Sequence, residues 1–256
     1  MEPTLTEFSY GYCVTEEFAN RMGVGLKAAP YFPSLYTEGQ KGGGFDVRVG
    51  SALFLQFKLC EKLTRRSAKE TKLGLIDPPF YRFWLHSRKR SAQHQMLIDL
   101  EAHPGNQVYY IAPGFAELEQ LNLSYVAQRV VDDSAMFSPT EMGPVLDDET
   151  HRVAFRLDSG VAWFLSEPHE LRIHEKENIL KRALHPEFDL RPTDREAWLR
   201  KLLDRMRQII QKSEAGVAES LPFLDEIPEQ RDPLHQVAYL ARAYFSCEVF
   251  FVAQPR

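Results

Sequence analysis

Only three of the 256 residues are cysteine, and Cys13, Cys60 and Cys247 are odd in number and far apart. That pattern excludes a disulfide framework and fits a reducing, cytoplasmic compartment, with all three thiols expected as small core residues. Long apolar runs are missing too. The most apolar late stretch, residues 237–253, is interrupted by Arg242 and Glu248 and is too short to span a bilayer comfortably. No apolar segment follows a basic start, so no signal peptide is expected. Gly-x-Ser-x-Gly and Cys-x-x-Cys do not occur. Gly42, Gly43 and Gly44 precede a predicted strand and lack the Lys-Ser/Thr pair of a phosphate loop. His169 and His174 are five residues apart and so would not share a helix face, which sets aside a zincin site. A net charge of −5 does not mark a nucleic-acid binder overall. The 44% hydrophobic content is enough for a substantial core, in one large domain or in one domain with an appendage.

Against this background one stretch stands out, KGGGFDVRVGSALFLQFKL at residues 41–59. Phe45, Val47 and Val49 are strand formers, and residues 53–59 are a second run, so the segment reads as a β-hairpin about Gly50 and Ser51. Alternation puts Phe54, Gln56 and Lys58 on one face and Leu53, Leu55, Phe57 and Leu59 on the other. A three-residue loop at positions 50–52 would set Asp46 opposite Gln56, with Cβ atoms about 5 Å apart on the same face. A two-residue loop would set Asp46 opposite Leu55, on the wrong face.

One acid, one amide and one lysine on a shared face suit metal-assisted phosphodiester hydrolysis. Mg²⁺ prefers hard oxygen ligands from one or two side chains, completed by water and substrate phosphate. Asp46 and the Gln56 amide oxygen supply two such ligands, and the Phe57 carbonyl a third. Lys58 would orient or deprotonate the attacking water and stabilise charge on the phosphate. The spacing FDV(x8)QFK resembles the restriction-endonuclease-like PD-(D/E)XK nuclease superfamily, with glutamine in the variable acidic slot. Members commonly carry a glutamate on a helix before the acid-bearing strand. Here Thr15 would cap a helix bearing Val14, Phe18 and Met22 as its apolar stripe, and Glu17 borders that stripe. Glu17 is therefore the expected additional ligand or water-positioning group, with Glu38 in reserve. A helix at 92–102 and a strand at 107–112 would continue the core. The resemblance covers roughly residues 12–115 and implies Mg²⁺ or Mn²⁺, a nucleic-acid substrate with DNA ahead of RNA, and a role in restriction, repair or antiviral defence.

The whole chain thus reads as an α/β protein: a mixed central sheet flanked by helices, nuclease-like over residues 1–170, then a mainly helical region over 171–256. A second hairpin is expected about Asp158, Ser159 and Gly160, a short helix after Ser138-Pro139, an amphipathic helix over 193–213, and a last helix or helix–strand pair over 233–252. The C-terminal helices could cover the sheet, form a homodimer or bind another protein.

Charge is unevenly spread. Residues 58–90 carry ten Lys/Arg against three acids, whereas residues 116–149 carry one Arg against eight acids. Lys62, Arg65, Arg66, Arg88, Lys89 and Arg90, just downstream of Lys58, are the expected phosphate contacts. The aromatic set Phe80, Tyr81, Phe83 and Trp84 reads either as base-stacking residues or as a buried strand. Two rival functions use the same residues. In one, the Asp-Gln-Lys face is ordinary solvated sheet and the chain is a non-catalytic subunit docking through its acidic segment. In the other, the chemistry stands and the substrate is RNA.

Overall fold

A computed structural model describes residues 1–21, 52–87, 91–165, 167–184, 192–213 and 233–251. Asp46, Glu38, Arg88, Lys89 and Arg90 lie outside the described residues, as does the first strand of the expected hairpin.

The chain begins with α1 (Glu7–Arg21), in which Tyr10, Val14 and Phe18 form a buried stripe at helical spacing. The Thr6 hydroxyl accepts the Ser9 backbone N–H at 3.1 Å, as an N-cap does. Thr6, not Thr15, therefore starts this helix, and Thr15 is buried well inside it. The stripe extends one turn further upstream, to Tyr10, than Val14, Phe18 and Met22 indicate.

There follow β1 (Ala52–Phe57), β2 (Glu61–Leu63), α2 (Lys69–Lys72), β3 (Phe80–Leu85), α3 (Gln93–Glu101), β4 (Asn106–Pro113) and α4 (Leu118–Val126). The second half contains β5 (Ser134–Phe137), α5 (Pro139–Met142), β6 (His151–Arg156), β7 (Val161–Phe164), β8 (His169–Glu170), α6 (Lys176–Leu184), α7 (Pro192–Lys212), α8 (Pro233–Phe245) and β9 (Glu248–Phe251). Local chemistry explains several boundaries. Ser138 caps α5 by accepting the Glu141 N–H, with Pro139 in the first turn, and Gly143 ends it at a φ of 76°. Gly160, at a φ of 66°, closes the β6–β7 hairpin where the sequence placed it.

The strands form two sheets, in the orders β5-β4-β1-β9 and β2-β3-β6-β7-β8. The first is mixed: β1 runs parallel to β4 and antiparallel to β9. The α/β class with a mixed sheet flanked by helices holds. Both edges of β1 are filled from Ala52 to Leu55, by β4 and β9. The antiparallel neighbour of Leu53 and Leu55 is thus β9, at Phe250 and Glu248, where the hairpin reading placed Val49 and Val47. The C-terminal region is accordingly part of the core rather than an appended layer.

Alternation along β1 follows the expected faces. Leu53 and Leu55 enter a cluster with Tyr10, Val14, Phe18, Tyr109, Ile111, Leu121 and Ile179, so α1, α4 and α6 cover that side. Ala52 and Phe54 enter the larger cluster, which holds Leu97 of α3, Met206 of α7, Leu240 of α8, and Phe83 and Phe155 of the second sheet. Phe83, Tyr110, Phe137 and Phe155 meet there with ring centroids 5.5–6.5 Å apart. Burial of each such ring contributes about 1.5–3 kcal/mol relative to exposure.

Candidate functional site

Gln56 and Lys58 sit at the C-terminal end of β1, on the face of the larger cluster. The Gln56 Cα is paired with Tyr110 of β4, and the Lys58 N–H donates to the Ile111 carbonyl at 3.0 Å, carrying the ladder one residue past the strand. The sheet therefore fixes the direction of both side chains.

Gln56 is buried. Its Nε2 donates to the Gln93 Oε1 at 2.8 Å, and the Gln93 Nε2 donates to the Phe245 carbonyl at 3.2 Å. The polarity of this chain follows from its last member, because a carbonyl can only accept. Gln93 must turn its NH₂ toward Phe245 and its oxygen toward Gln56, and Gln56 must answer with its own NH₂. That leaves the Gln56 Oε1 buried without a partner among the described residues. An amide oxygen held in this way is a hard ligand, the donor type Mg²⁺ takes.

Lys58 is half-buried, with its Nζ 5.6 Å from the centroid of the Tyr110 ring. Burial lowers the pKa of its amine, and Glu7 and the Cys247 thiol oppose that shift. Beneath it, the Tyr110 hydroxyl and His94 Nδ1 are 2.9 Å apart, and His94 Nε2 lies 2.9 Å from the Gly143 carbonyl. The carbonyl requires the proton on Nε2, so Nδ1 accepts from Tyr110. Burial also lowers the His94 pKa, which keeps the ring neutral in this role. Gln93 and His94 are consecutive at the start of α3, where the Ser91 hydroxyl takes the Gln93 N–H. One helix N-terminus thus braces both Gln56 and Tyr110. Cys247, buried behind Lys58, has its thiol pKa pushed up by burial and donates to the Phe245 carbonyl at 3.4 Å.

Glu17 belongs to the opposite side of the sheet. It is on the α1 face that packs against Leu53 and Leu55, and its carboxylate accepts the Val131 N–H at 3.1 Å and pairs with Arg21. Arg21 in turn forms two 2.7 Å hydrogen bonds with Asp132. The structure brings Gln56 and Lys58 together and does not bring Glu17 to them. Lys62 lies in β2, and Arg65 and Arg66 are exposed in the loop after it.

The donor set for a cation is in part within view. Gln56 Oε1 fits, and the carboxylate needed to balance the metal charge would come from Asp46 or Glu38, outside the described residues. No group of three or more His, Cys, Asp or Glu side chains is arranged for a metal among the described residues. Among those residues, no helix is long and apolar enough to cross a membrane. Neither Gln93 nor His94 belongs to the QxK motif. Their spacing at the head of a helix that follows the QxK strand was the available signal, and their partners were not. Against protein-family models, curated proteins and solved structures alike, the chain has no match.

Proposed function

We propose that this protein is a metal-dependent nuclease that hydrolyses phosphodiester bonds, of DNA in preference to RNA. The observation that carries the reading is the Gln56 Oε1, buried without a partner among the described residues, beside Lys58 on one face of a central strand. A buried polar atom without a partner costs about 1–3 kcal/mol, a cost that a ligand on this oxygen would remove. Asp46 would supply the carboxylate, with Glu38 in reserve, and Mg²⁺ or Mn²⁺ would polarise the scissile phosphate. Lys58, whose amine is biased toward the neutral form by burial, would order the attacking water and hold a proton near it. The resemblance to the PD-(D/E)XK superfamily supports the same roles and extends them to restriction or defence against foreign DNA.

The test is cleavage of plasmid, linear DNA and RNA by the purified protein and by Lys58→Ala, with Mg²⁺, Mn²⁺ or EDTA. Cleavage that needs metal and falls about 10²–10³-fold in the variant is expected, the loss typical of one charge-stabilising group. Absence of cleavage of every substrate with either metal would overturn the reading.

A second reading, a non-catalytic docking subunit, draws support from exposed apolar side chains next to the acidic segment. Phe8 and Tyr12 of α1 and Leu118 and Val126 of α4 are exposed. The two helices are tied by Tyr125 donating to Glu16 at 2.6 Å. Charge reversal within residues 116–149 would then abolish association with a partner while Lys58→Ala would not.

A further inference from the structure

On the outer face of the second sheet, Arg82 and Trp84 project from β3 on the side opposite Phe83 and Leu85, which enter the core. Trp84 is paired across the sheet with Arg152, and Arg82 with Glu61. The guanidinium of Arg82 lies 4.7 Å from the indole centroid and that of Arg152 lies 5.3 Å from it. The indole N–H donates to Glu61, which fixes the rotation of the ring. Below the indole, fully buried Glu70 accepts from Arg82 at 3.0 Å and pairs with Arg152 at 3.0 Å. Two arginines and two glutamates thus cancel, and the network needs no further counter-ion. Even so, Trp84 stays 37% exposed. The segment that carries Glu70 also carries free cations: Arg65, Arg66, Lys69 and Lys72 are exposed and form no ion pair among the described residues.

We propose that Trp84 is a stacking platform for an unpaired nucleobase, and that the strip from Arg65 to Lys72 carries the adjoining backbone phosphates. The proposal rests on the nuclease reading and narrows its substrate to nucleic acid with a single-stranded portion. An aromatic ring held rigid among cations matches a base next to its phosphate. A base inside a duplex has no free face to offer. Stacking does not depend on base identity, so the site is sequence-tolerant, and the phosphate strip makes binding salt-dependent.

The experiment is equilibrium binding in EDTA of a fluorescent 20-nucleotide oligothymidylate, its uridine counterpart and a DNA duplex to the full chain, Trp84→Ala and Trp84→Phe. Trp84→Ala is expected to weaken single-strand binding at least about tenfold, as loss of one base stack does, while Trp84→Phe keeps most of the affinity and duplex binding is unchanged. Raising salt should weaken single-strand binding further, and the two single strands decide between DNA and RNA. Equal single-strand affinity in all three proteins, or no single-strand binding by the unaltered chain, overturns the platform. Cleavage is read separately, with metal. Trp84-dependent binding without cleavage leaves the platform standing and removes the nuclease reading, whereas cleavage with Trp84-independent binding does the reverse.

Discussion

Gln93 decides which end of the Gln56 amide is free. The 2.8 Å bond from Gln56 Nε2 to Gln93 Oε1 is oriented by the Phe245 carbonyl beyond it, so the Gln56 oxygen is the atom left over. This relationship joins β1 to α3 and, through Phe245, to the end of α8.

It follows that the two glutamines are coupled. Gln93→Met should strand the Gln56 NH₂ and cost about 1–3 kcal/mol, and Gln56→Met should strand the Gln93 oxygen at a similar cost. The double variant should be less destabilised than the sum of the two, because no buried donor or acceptor remains between them. Urea midpoints for the four proteins of this cycle measure the coupling, and additive single effects would contradict it.

His94 gives the fold a pH dependence of definite sign. Its pKa is lowered in the folded state, chiefly by burial, and the Tyr110 hydroxyl, Gly143 carbonyl, Lys58 and His151 are the groups facing it. Unfolded, it titrates at about 6.5. Below that value the unfolded chain binds the extra proton, so stability falls as pH falls, by up to about 1.4 kcal/mol per pH unit per group. His103, also lowered, adds in the same direction. Urea midpoints between pH 7.5 and 5 should decline for the wild type and decline less steeply for His94→Gln.

Glu70 holds two guanidiniums at once, from Arg82 and Arg152, with its carboxylate fully buried. Glu70→Ala should cost about 3–5 kcal/mol, because it leaves positive charge under Trp84 without its partner. Thermal or urea unfolding reads this directly, and a loss under about 1 kcal/mol would mean that Glu61 alone suffices for Arg82.

The parts of this architecture legible in the sequence are those governed by local periodicity and turn chemistry. Alternation along β1 placed Gln56 and Lys58 on one face, Ser138-Pro139 announced α5, and Gly160 announced the β6–β7 turn. Pairing over long separations was not legible. Nothing near Leu53 indicates that its antiparallel partner is Phe250, because a strand with apolar residues on both faces accepts many neighbours. The same holds for the site. The face shared by Gln56 and Lys58 is a local property, whereas the Gln93 brace and the commitment of Glu17 to Arg21 and Val131 depend on which helix covers which side. Thr15 misled for a local reason: Thr6 is an equally good cap, and Tyr10 extends the apolar stripe to it.

For Glu17, the prediction is structural. Glu17→Gln keeps an acceptor for the Val131 N–H and removes the charge facing Arg21, which still has Asp132. Glu17→Ala loses both interactions and leaves a buried N–H unpaired, costing about 1–3 kcal/mol. Denaturant midpoints should therefore fall in the order wild type, Gln, Ala. Equal stability of all three proteins would contradict the ordering.

Lys58 separates stability from function most sharply. Its amine is drawn toward the larger cluster, burial lowers its pKa, and it forms no salt bridge among the described residues. A lysine whose folded pKa is depressed binds fewer protons folded than unfolded between the folded pKa and about 10.4. Stability should accordingly rise with pH through that window, and at neutral pH the charged form opposes folding. Lys58→Met keeps the length and apolar stem without the charge, so it should stabilise the protein by about 0.5–2 kcal/mol and flatten that alkaline rise. The same variant should lose metal-dependent cleavage. A stabilised and inactive Lys58→Met, read from urea unfolding at pH 7 and 9.5 together with a plasmid digest, would assign the half-buried cation to chemistry. A destabilised variant would instead make Lys58 a structural residue resting on Tyr110, and would count against its role in the nuclease reading.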